Sequence, residues 1–300
     1  MQLFAFALLI ATLFAGNAGS AEIHELRFEP TVVRQGEIIE LKVSGEGLAA
    51  LEGQLGRSTV RFYPNGIDGF SALIGADLEG KPGTIRLLLS TTFVSGSVRQ
   101  TQIPLTVKAK SFQQESFSVP PQFDQLAPDI LERIRLEQEQ LDRIFAVSAP
   151  EKLWDLPFVM PVGGVITSPF GYRRVINGTP RAPHTGVDLR ASIGTPVLGA
   201  NHGRVALKGD FFFSGKTLVL DHGQGLYTMY FHLSEFNVDL GDPIQKGQVI
   251  GLSGMTGRVS GPHLHWGVRV NNARVDPFQL IEKLSLKKES PGFSEISGEE

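Results

Sequence analysis

Ser260-Gly261-Pro262-His263-Leu264-His265-Trp266-Gly267-Val268 decides how the rest of this chain is read. A Gly-Pro turn leads into a β-type run in which one leucine separates two histidines. Side chains alternate along a strand, so His263 and His265 share a face, Leu264 takes the other, and both imidazoles enter one pocket. Alone, the pair fits two half-buried strand histidines making ordinary hydrogen bonds as well as it fits a reactive site. Two further features bear on it: the stretch Pro183-His184-Thr185-Gly186-Val187-Asp188, and His232 between the two.

Around these residues the sequence is Gly-rich and β-type from Trp154 to about Pro277. Strand signals run over 194–198, 203–207, 217–221, 226–232, 248–252 and 264–270, joined by Gly, Asp and Asn turns. No connection is long enough for a crossover helix, which predicts an antiparallel sheet rather than a parallel α/β one. Residues 22–110 also read as short strands between turns. Ile39, Leu41 and Val43 alternate with polar residues, as do Ile103, Leu105 and Val107, while Pro64-Asn65-Gly66 and Lys81-Pro82-Gly83 punctuate the run. This predicts a small antiparallel β-sandwich of immunoglobulin-like kind, with His24 at its edge as a surface residue.

Between the two lies a connector, 111–153. Its first part, 111–123, is polar and closes on Pro120-Pro121, so it reads as an extended linker. Pro128 then opens a helix to about Phe145, with Ile130, Ile134, Leu141 and Phe145 on one face and Glu132, Arg133, Glu137 and Glu139 on the other. Such a helix docks on its own chain or offers its apolar face to a partner. The expected organisation is a leader over 1–21, the sandwich over 22–110, the connector, a main β domain over 154–284 and a flexible tail over 285–300.

Composition bounds the function. The 300 residues are 41% apolar and 20% charged with a net charge of −3, a globular balance without the basic excess of a nucleic-acid partner. Leu3 to Phe14 is an almost unbroken apolar run followed by small residues to Ala21, the pattern of a secretory signal, although its first residues carry no Lys or Arg. An uncleaved anchor is the rival reading; after cleavage at Ala21 no membrane span would remain. Export to the periplasm or cell envelope, rather than the open medium, is the expectation. There is no cysteine, so any zinc site must be built from His, Asp or Glu.

His184 and Asp188, with three residues between them at a turn into a strand, supply an imidazole and a carboxylate. With one histidine of the 263/265 pair they make a plausible zinc set of three protein ligands, leaving a fourth position for water. The remaining histidine of the pair and His232 then read as acid/base groups, since no His-Glu-x-x-His helix supplies a Glu base. His222 reads as structural and His202 as exposed.

At this point the residues carry a resemblance. Pro183-His184-x-Gly186-Val187-Asp188, Tyr230-x-His232-Leu233-Ser234 and Gly261-Pro262-His263-Leu264-His265 are similar to motifs of the lysostaphin/LytM-type zinc metallopeptidases. The intervening text agrees, at Ser168-Pro169-Phe170-Gly171-x-Arg173, Gly194-Thr195-Pro196-Val197, Lys246-Gly247-Gln248 and Val275-Asp276-Pro277; the similarity runs from Pro161 to Phe278. The resemblance implies His184, Asp188 and His265 as ligands of one Zn2+, and His263 and His232 as catalytic histidines. It implies a secreted endopeptidase that hydrolyses peptide cross-links of peptidoglycan through a zinc-activated water, with His263 as general base and His232 on the oxyanion or the proton path. Non-catalytic LytM-like activators or scaffolds of wall hydrolases are the alternative, but these typically lack some ligands that this chain has. Tyr230, placed by alternation on the face of His232, and Asn177, in the polar loop 173–181, are the expected substrate-groove residues. The sandwich would bind wall or partner, or cover the groove until displaced. Nothing in the sequence sets the oligomeric state or the bond cleaved.

Overall fold

The computed structural model describes residues 26–67, 69–117 and 126–282. The leader expected over 1–21, His24 and the tail expected from 285 lie outside them. The protein is mainly β, in two β units bridged by one long helix.

The N-terminal unit comprises β1 (Arg27–Glu29), β2 (Val32–Arg34), β3 (Ile38–Ser44), β4 (Leu48–Leu55), β5 (Ser58–Arg61), β6 (Tyr63–Pro64), β7 (Gly69–Gly75), β8 (Gly83–Phe93) and β9 (Val98–Lys108). They form two sheets, β1-β3-β7-β6 and β2-β9-β8-β4-β5. Between them Leu41, Val43, Ile74, Leu87, Leu89, Ile103 and Leu105 make one apolar core. The pairing is antiparallel except for β2 beside β9, which is parallel, a departure from the all-antiparallel sandwich expected.

Burial along β7 exposes a third layer. Residues 71–75 are all buried, without the alternation of a half-exposed strand. Ala72 and Ile74 face the sandwich core, whereas Leu73, with Ile38 and Leu78, joins the core of the C-terminal unit. The sheet β1-β3-β7-β6 is therefore covered on both sides. Gly75 permits the approach, because a Cβ there would sit 2.8 Å from the Val270 carbonyl oxygen.

One expectation for the connector and one for the polar loop 173–181 are corrected. Gln114–Phe117 is a strand, β10, and pairs in parallel with β12 (Arg173–Ile176). The stretch read as an irregular loop is itself a hairpin, β12 returning through Asn177-Gly178 to β13 (Thr179–Pro180). Asn177 and Gly178 both have positive φ, 51° and 75°, as a two-residue hairpin turn requires. Helix α1 spans Pro128–Phe145, with Pro near its start, Asp129 in the first turn and Arg143 in the last. The Arg135–Glu132 ion pair lies on its outer side. Arg133 and Glu137, expected there too, pair with each other toward the sheet, because Glu137 meets the Phe212 N–H and Arg133 the Asp210 carbonyl. Only Phe145 is fully buried, so the helix is held mainly at its C-terminal end.

The C-terminal unit is one antiparallel sheet: β11 (Ile166–Ser168), β14 (Gly186–Arg190), β15 (Pro196–Leu198), β16 (Gly203–Phe211), β17 (Gly215–Asp221), β18 (Leu226–Phe236), β19 (Pro243–Ile244), β20 (Val249–Ser253), β21 (His263–Val270) and β22 (Ala273–Val275), followed by α2 (Phe278–Glu282). Its principal order is β11-β14-β21-β18-β17-β16-β19. Leu189, Leu218, Leu220, Tyr230, Leu264, Trp266 and Val268 fill the core on one face, each fully buried. The opposite face carries Phe231, Met229 and Tyr227, against which the end of α1 packs through Phe145, Ile144 and Leu141. The chemistry lies on this second face.

Candidate metal centre and catalytic face

Asp188 on β14 and Phe231 on β18 are the lateral neighbours of His265 on β21, so the three side chains stand in a row on one face. His184, just before β14, folds onto the same spot, its backbone tied by Gly171 N–H to His184 O (2.8 Å) and His184 N–H to Tyr172 O (2.9 Å). The result is a convergence of three donor atoms. His184 Nε2, Asp188 Oδ1 and His265 Nδ1 lie 2.9–3.0 Å from one another. Among the described residues they form a His-Asp-His group able to hold a metal ion.

The proton positions test whether a cation fits. His184 Nδ1 is 2.9 Å from the Pro169 carbonyl oxygen, which can only accept, so Nδ1 carries the proton and Nε2 presents a lone pair. That lone pair, a carboxylate oxygen and a second imidazole nitrogen aim at one point. Donors about 2.0–2.1 Å from a tetrahedral zinc stand roughly 3.3 Å apart, close to the separations here. The set fits a zinc-like cation. Burial on its own would raise the Asp188 pKa, but hydrogen bonds and charge from His184 and His265 outweigh it and hold the carboxylate well below its usual range. Burial pushes His265 down, which keeps its ring neutral and able to ligate.

Gly186 shapes the site through what it lacks. A Cβ there would fall 2.4 Å from the Trp266 carbonyl oxygen and 2.6 Å from His265 Nε2, so only glycine lets β14 pass this close. On the other side the Phe231 ring stacks on His265, centroids 4.9 Å apart and planes 5° from parallel.

His263 and His232 complete the cluster, their ring centroids 4.8 Å apart. Each anchors Nδ1 on a carbonyl, His263 on Gly261 O (2.8 Å) and His232 on Thr256 O (2.9 Å). In the neutral ring each therefore leaves Nε2 free of a proton. His263 Nε2 is 3.6 Å from Asp188 Oδ1. Burial, followed by the neighbouring His265, brings the His232 pKa down to about 4.

His232 reaches this face by breaking the alternation of its strand. Tyr230 pairs with Leu218 but Leu233 pairs with Lys216, so Phe231 and His232 together oppose Thr217. His232 takes φ 64° to make this bulge and donates its backbone N–H to Ser214 O. The expectation for Tyr230 fails here. Tyr230 is fully buried on the opposite face, with its hydroxyl accepting from Ala200 N–H at 2.9 Å. Strict alternation would have placed Tyr230 with His232; the bulge puts Phe231 there instead. Asn177 sits at the exposed tip of the β12–β13 hairpin.

His222 is apart from this cluster. Its Nδ1 donates to His202 O (2.6 Å), leaving Nε2 to accept from the Thr228 hydroxyl (2.7 Å), and burial lowers its pKa to about 4. Sequence reasoning missed Phe231, Thr256 and the role of Gly186. Only the last left a sequence signal, a glycine two residues after His184 and two before Asp188.

Comparison with known proteins finds relatives over the C-terminal unit and beyond it. Residues 182–277 match the model of peptidase family M23. The chain is 43% identical over 112 residues to the peptidoglycan DD-endopeptidase ShyA of Vibrio cholerae, over 37% of this chain and 26% of that one. It is likewise 43% identical over 116 residues to the DD-carboxypeptidase/endopeptidase Mpg of Neisseria meningitidis, over 38% of this chain and 26% of that one. The chain thus spans about a quarter of the length of these curated relatives. A crystal structure from Pseudomonas aeruginosa assigned to peptidase M23 is similar far beyond the catalytic face: 30% identical, TM-score 0.66, covering 84% of this chain and 96% of that one. With the sandwich, helix and sheet aligned together at that coverage, the chain belongs to peptidase family M23.

Proposed function

We propose that this chain is a zinc metalloendopeptidase that hydrolyses peptide cross-links of bacterial peptidoglycan. The observation that carries the reading is the convergence of His184 Nε2, Asp188 Oδ1 and His265 Nδ1 beside two histidines whose Nδ1 atoms are anchored on backbone carbonyls. Zinc held by those three donors would polarise the scissile carbonyl and lower the pKa of a water molecule. His263 Nε2, unprotonated because Nδ1 is committed to Gly261 O, takes the proton of the attacking water. His232, with Nδ1 anchored on Thr256 O, keeps a proton-free Nε2 and would act as a hydrogen-bond acceptor that orients the attacking water beside His263. The phenyl ring of Phe231 keeps the His265 imidazole from turning and excludes water from its flank.

The peptidoglycan assignment is supported by the named activities of the relatives, and the apolar run from Leu3 to Phe14 supports action in the periplasm or envelope. The test is digestion of purified peptidoglycan followed by mass spectrometry of the fragments, with and without chelator. Peptide-bond cleavage that chelator abolishes, that zinc restores and that His263→Ala lowers about 10²–10⁴-fold is the expected result. A chain that binds zinc yet cuts no wall type would overturn the enzyme reading in favour of an activator or scaffold.

A further inference from the structure

A cavity of about 860 Å3 opens on the catalytic face of the sheet, walled by three parts of the chain that are distant in sequence. Its floor includes Thr185, next to His184, and Phe231, which stacks on His265, so the cavity reaches the flank of the metal centre, although none of the metal-site histidines nor Asp188 lines it. One wall is α1, whose half-buried Ile134 and Leu141 face inward. Leu55 and Ile85 of the sandwich make the other wall.

Helix α1 is fastened over the floor. The Glu137 carboxylate accepts the Phe212 backbone N–H with both oxygens, at 3.0 and 2.9 Å, and Arg133 Nη2 donates to Asp210 O at 3.1 Å. At its C-terminal end the Tyr227 hydroxyl bonds Ile144 O and Val147 O. The wall is a built feature of the catalytic face.

The charges lining this space do not cancel. They are Asp77, Lys81, Glu137, Arg269 and Arg274. Arg274 is committed to Asp77 and Glu79, and Glu137 to Arg133. Among the described residues Lys81 and Arg269 have no carboxylate within ion-pair distance. Arg269 is the deeper of the two. Its Nη1 donates to Asn272 O and Oδ1, its guanidinium lies 4.4 Å from the Phe145 ring centroid, and Nε is buried with no partner. Asp77 and Asp142 act on it only from beyond ion-pair distance, and a guanidinium half out of water beside an apolar cavity, with no carboxylate in contact, is a receptor for an anion. Burial, with Arg274 adding repulsion, has already lowered its pKa to about 10.

We infer that this cavity is an extended substrate subsite in which Arg269, assisted by Lys81, binds a free carboxylate of the wall peptide whose bond lies at the metal centre. The inference rests on the peptidoglycan reading above and adds the recognition element. Arg269 follows His265 by four residues on the same face of β21, hence about 13 Å along the strand. An extended peptide covers that distance in about four residues. A stem peptide with a free carboxylate within that reach of its scissile bond would place the carboxylate at Arg269 and lay its aliphatic parts against Ile134, Leu141 and Phe231.

The test uses the intact chain, stripped of metal so that nothing is cleaved, and a synthetic stem tetrapeptide with free carboxylates beside the same peptide with those carboxylates converted to carboxamides. Binding is followed by calorimetry at low salt. The acid peptide should bind about tenfold more tightly or better, and raised salt should erase most of the difference. Arg269→Gln should abolish the preference, Arg269→Lys should retain part of it, and Lys81→Gln, at an exposed site, should weaken it a few-fold. Equal affinity for the two peptides, which needs no variant and no assumption about folding, overturns the inference. So does an Arg269→Gln chain with unaltered circular dichroism that still prefers the acid.

Wall digestion by the native zinc-loaded chain separates the two claims. Cleavage without acid preference removes the carboxylate subsite and leaves the enzyme. Acid preference without cleavage supports the subsite and removes the hydrolase.

Discussion

His232 is held at φ 64°, a conformation that costs a non-glycine residue roughly 1–2 kcal/mol, and that strain brings its imidazole beside His263. Gly186 answers the opposite need, a position where any side chain would crowd the Trp266 carbonyl and the ring of the ligand His265. Gly186→Ala should therefore lower zinc affinity about 10–100-fold with little loss of folded secondary structure, measured by competition with a chromophoric chelator. Unchanged affinity would mean that β14 shifts without moving His265. His222 supports a pH prediction. Its folded pKa of about 4 lies below the unfolded value of about 6.5, so the unfolded chain binds the extra proton between them. Its contribution is complete above pH 6.5, falls by up to about 3 kcal/mol as pH drops toward 4, and is level below that. Urea midpoints across this range should fall more steeply for the native chain than for His222→Gln. The metal-site histidines contribute equally to both chains, so parallel curves would remove the effect from His222.

At the scale of elements, α1 carries its own signals: Pro128 and the 130/134/141/145 stripe predict the helix observed. Its position over the hairpin between β16 and β17 was not legible, because Glu137 is indistinguishable in sequence from the solvated acids around it. Glu137→Ala leaves the Phe212 N–H without its carboxylate and should cost about 1.5–3 kcal/mol of local stability. Hydrogen exchange would show this as faster exchange of the Phe212 amide and of the first turns of α1, with β21 unaffected. Protection unchanged at Phe212 would mean that the apolar contacts of Phe145 and Leu141 hold the helix without the clasp. The strand 114–117 escaped notice for a different reason. Four polar-rich residues show no periodicity, and their partner is a hairpin some sixty residues away.

For the whole molecule, the question is what the sandwich covers. It docks at the far end of β21 and on β22, through Asn271 Nδ2 to Leu73 O at 2.6 Å, Arg274 on both Asp77 oxygens, and Leu73, Leu78 and Ile38 in the shared core. The sandwich thus forms one wall of the space beside the metal centre, while His184, Asp188 and His263 stay partly exposed. A junction with this much shared core should unfold with the sheet in one calorimetric transition. Arg274→Met, which strands the half-buried Asp77 carboxylate, should destabilise the junction by about 1–2 kcal/mol and separate a sandwich transition from a sheet transition. A single transition of unchanged shape and midpoint would show that the apolar contacts alone unite the units.

By itself the sequence determined the β character, the span of α1, and the sharing of one face by His263 and His265 near a second His/Asp stretch. These are local facts, written in periodicities of two and of 3.6 residues and in short spacings. Tertiary structure alone decided that Phe231 and not Tyr230 stands with His232, since a bulge is a mismatch between two strands and neither strand's sequence contains it. It alone decided that a sandwich strand is buried on both faces, and that an arginine read as one more strand residue lines a cavity without a counter-charge. Those outcomes depend on which surfaces meet after the chain folds, and the free energy of that meeting belongs to pairs of segments rather than to either one.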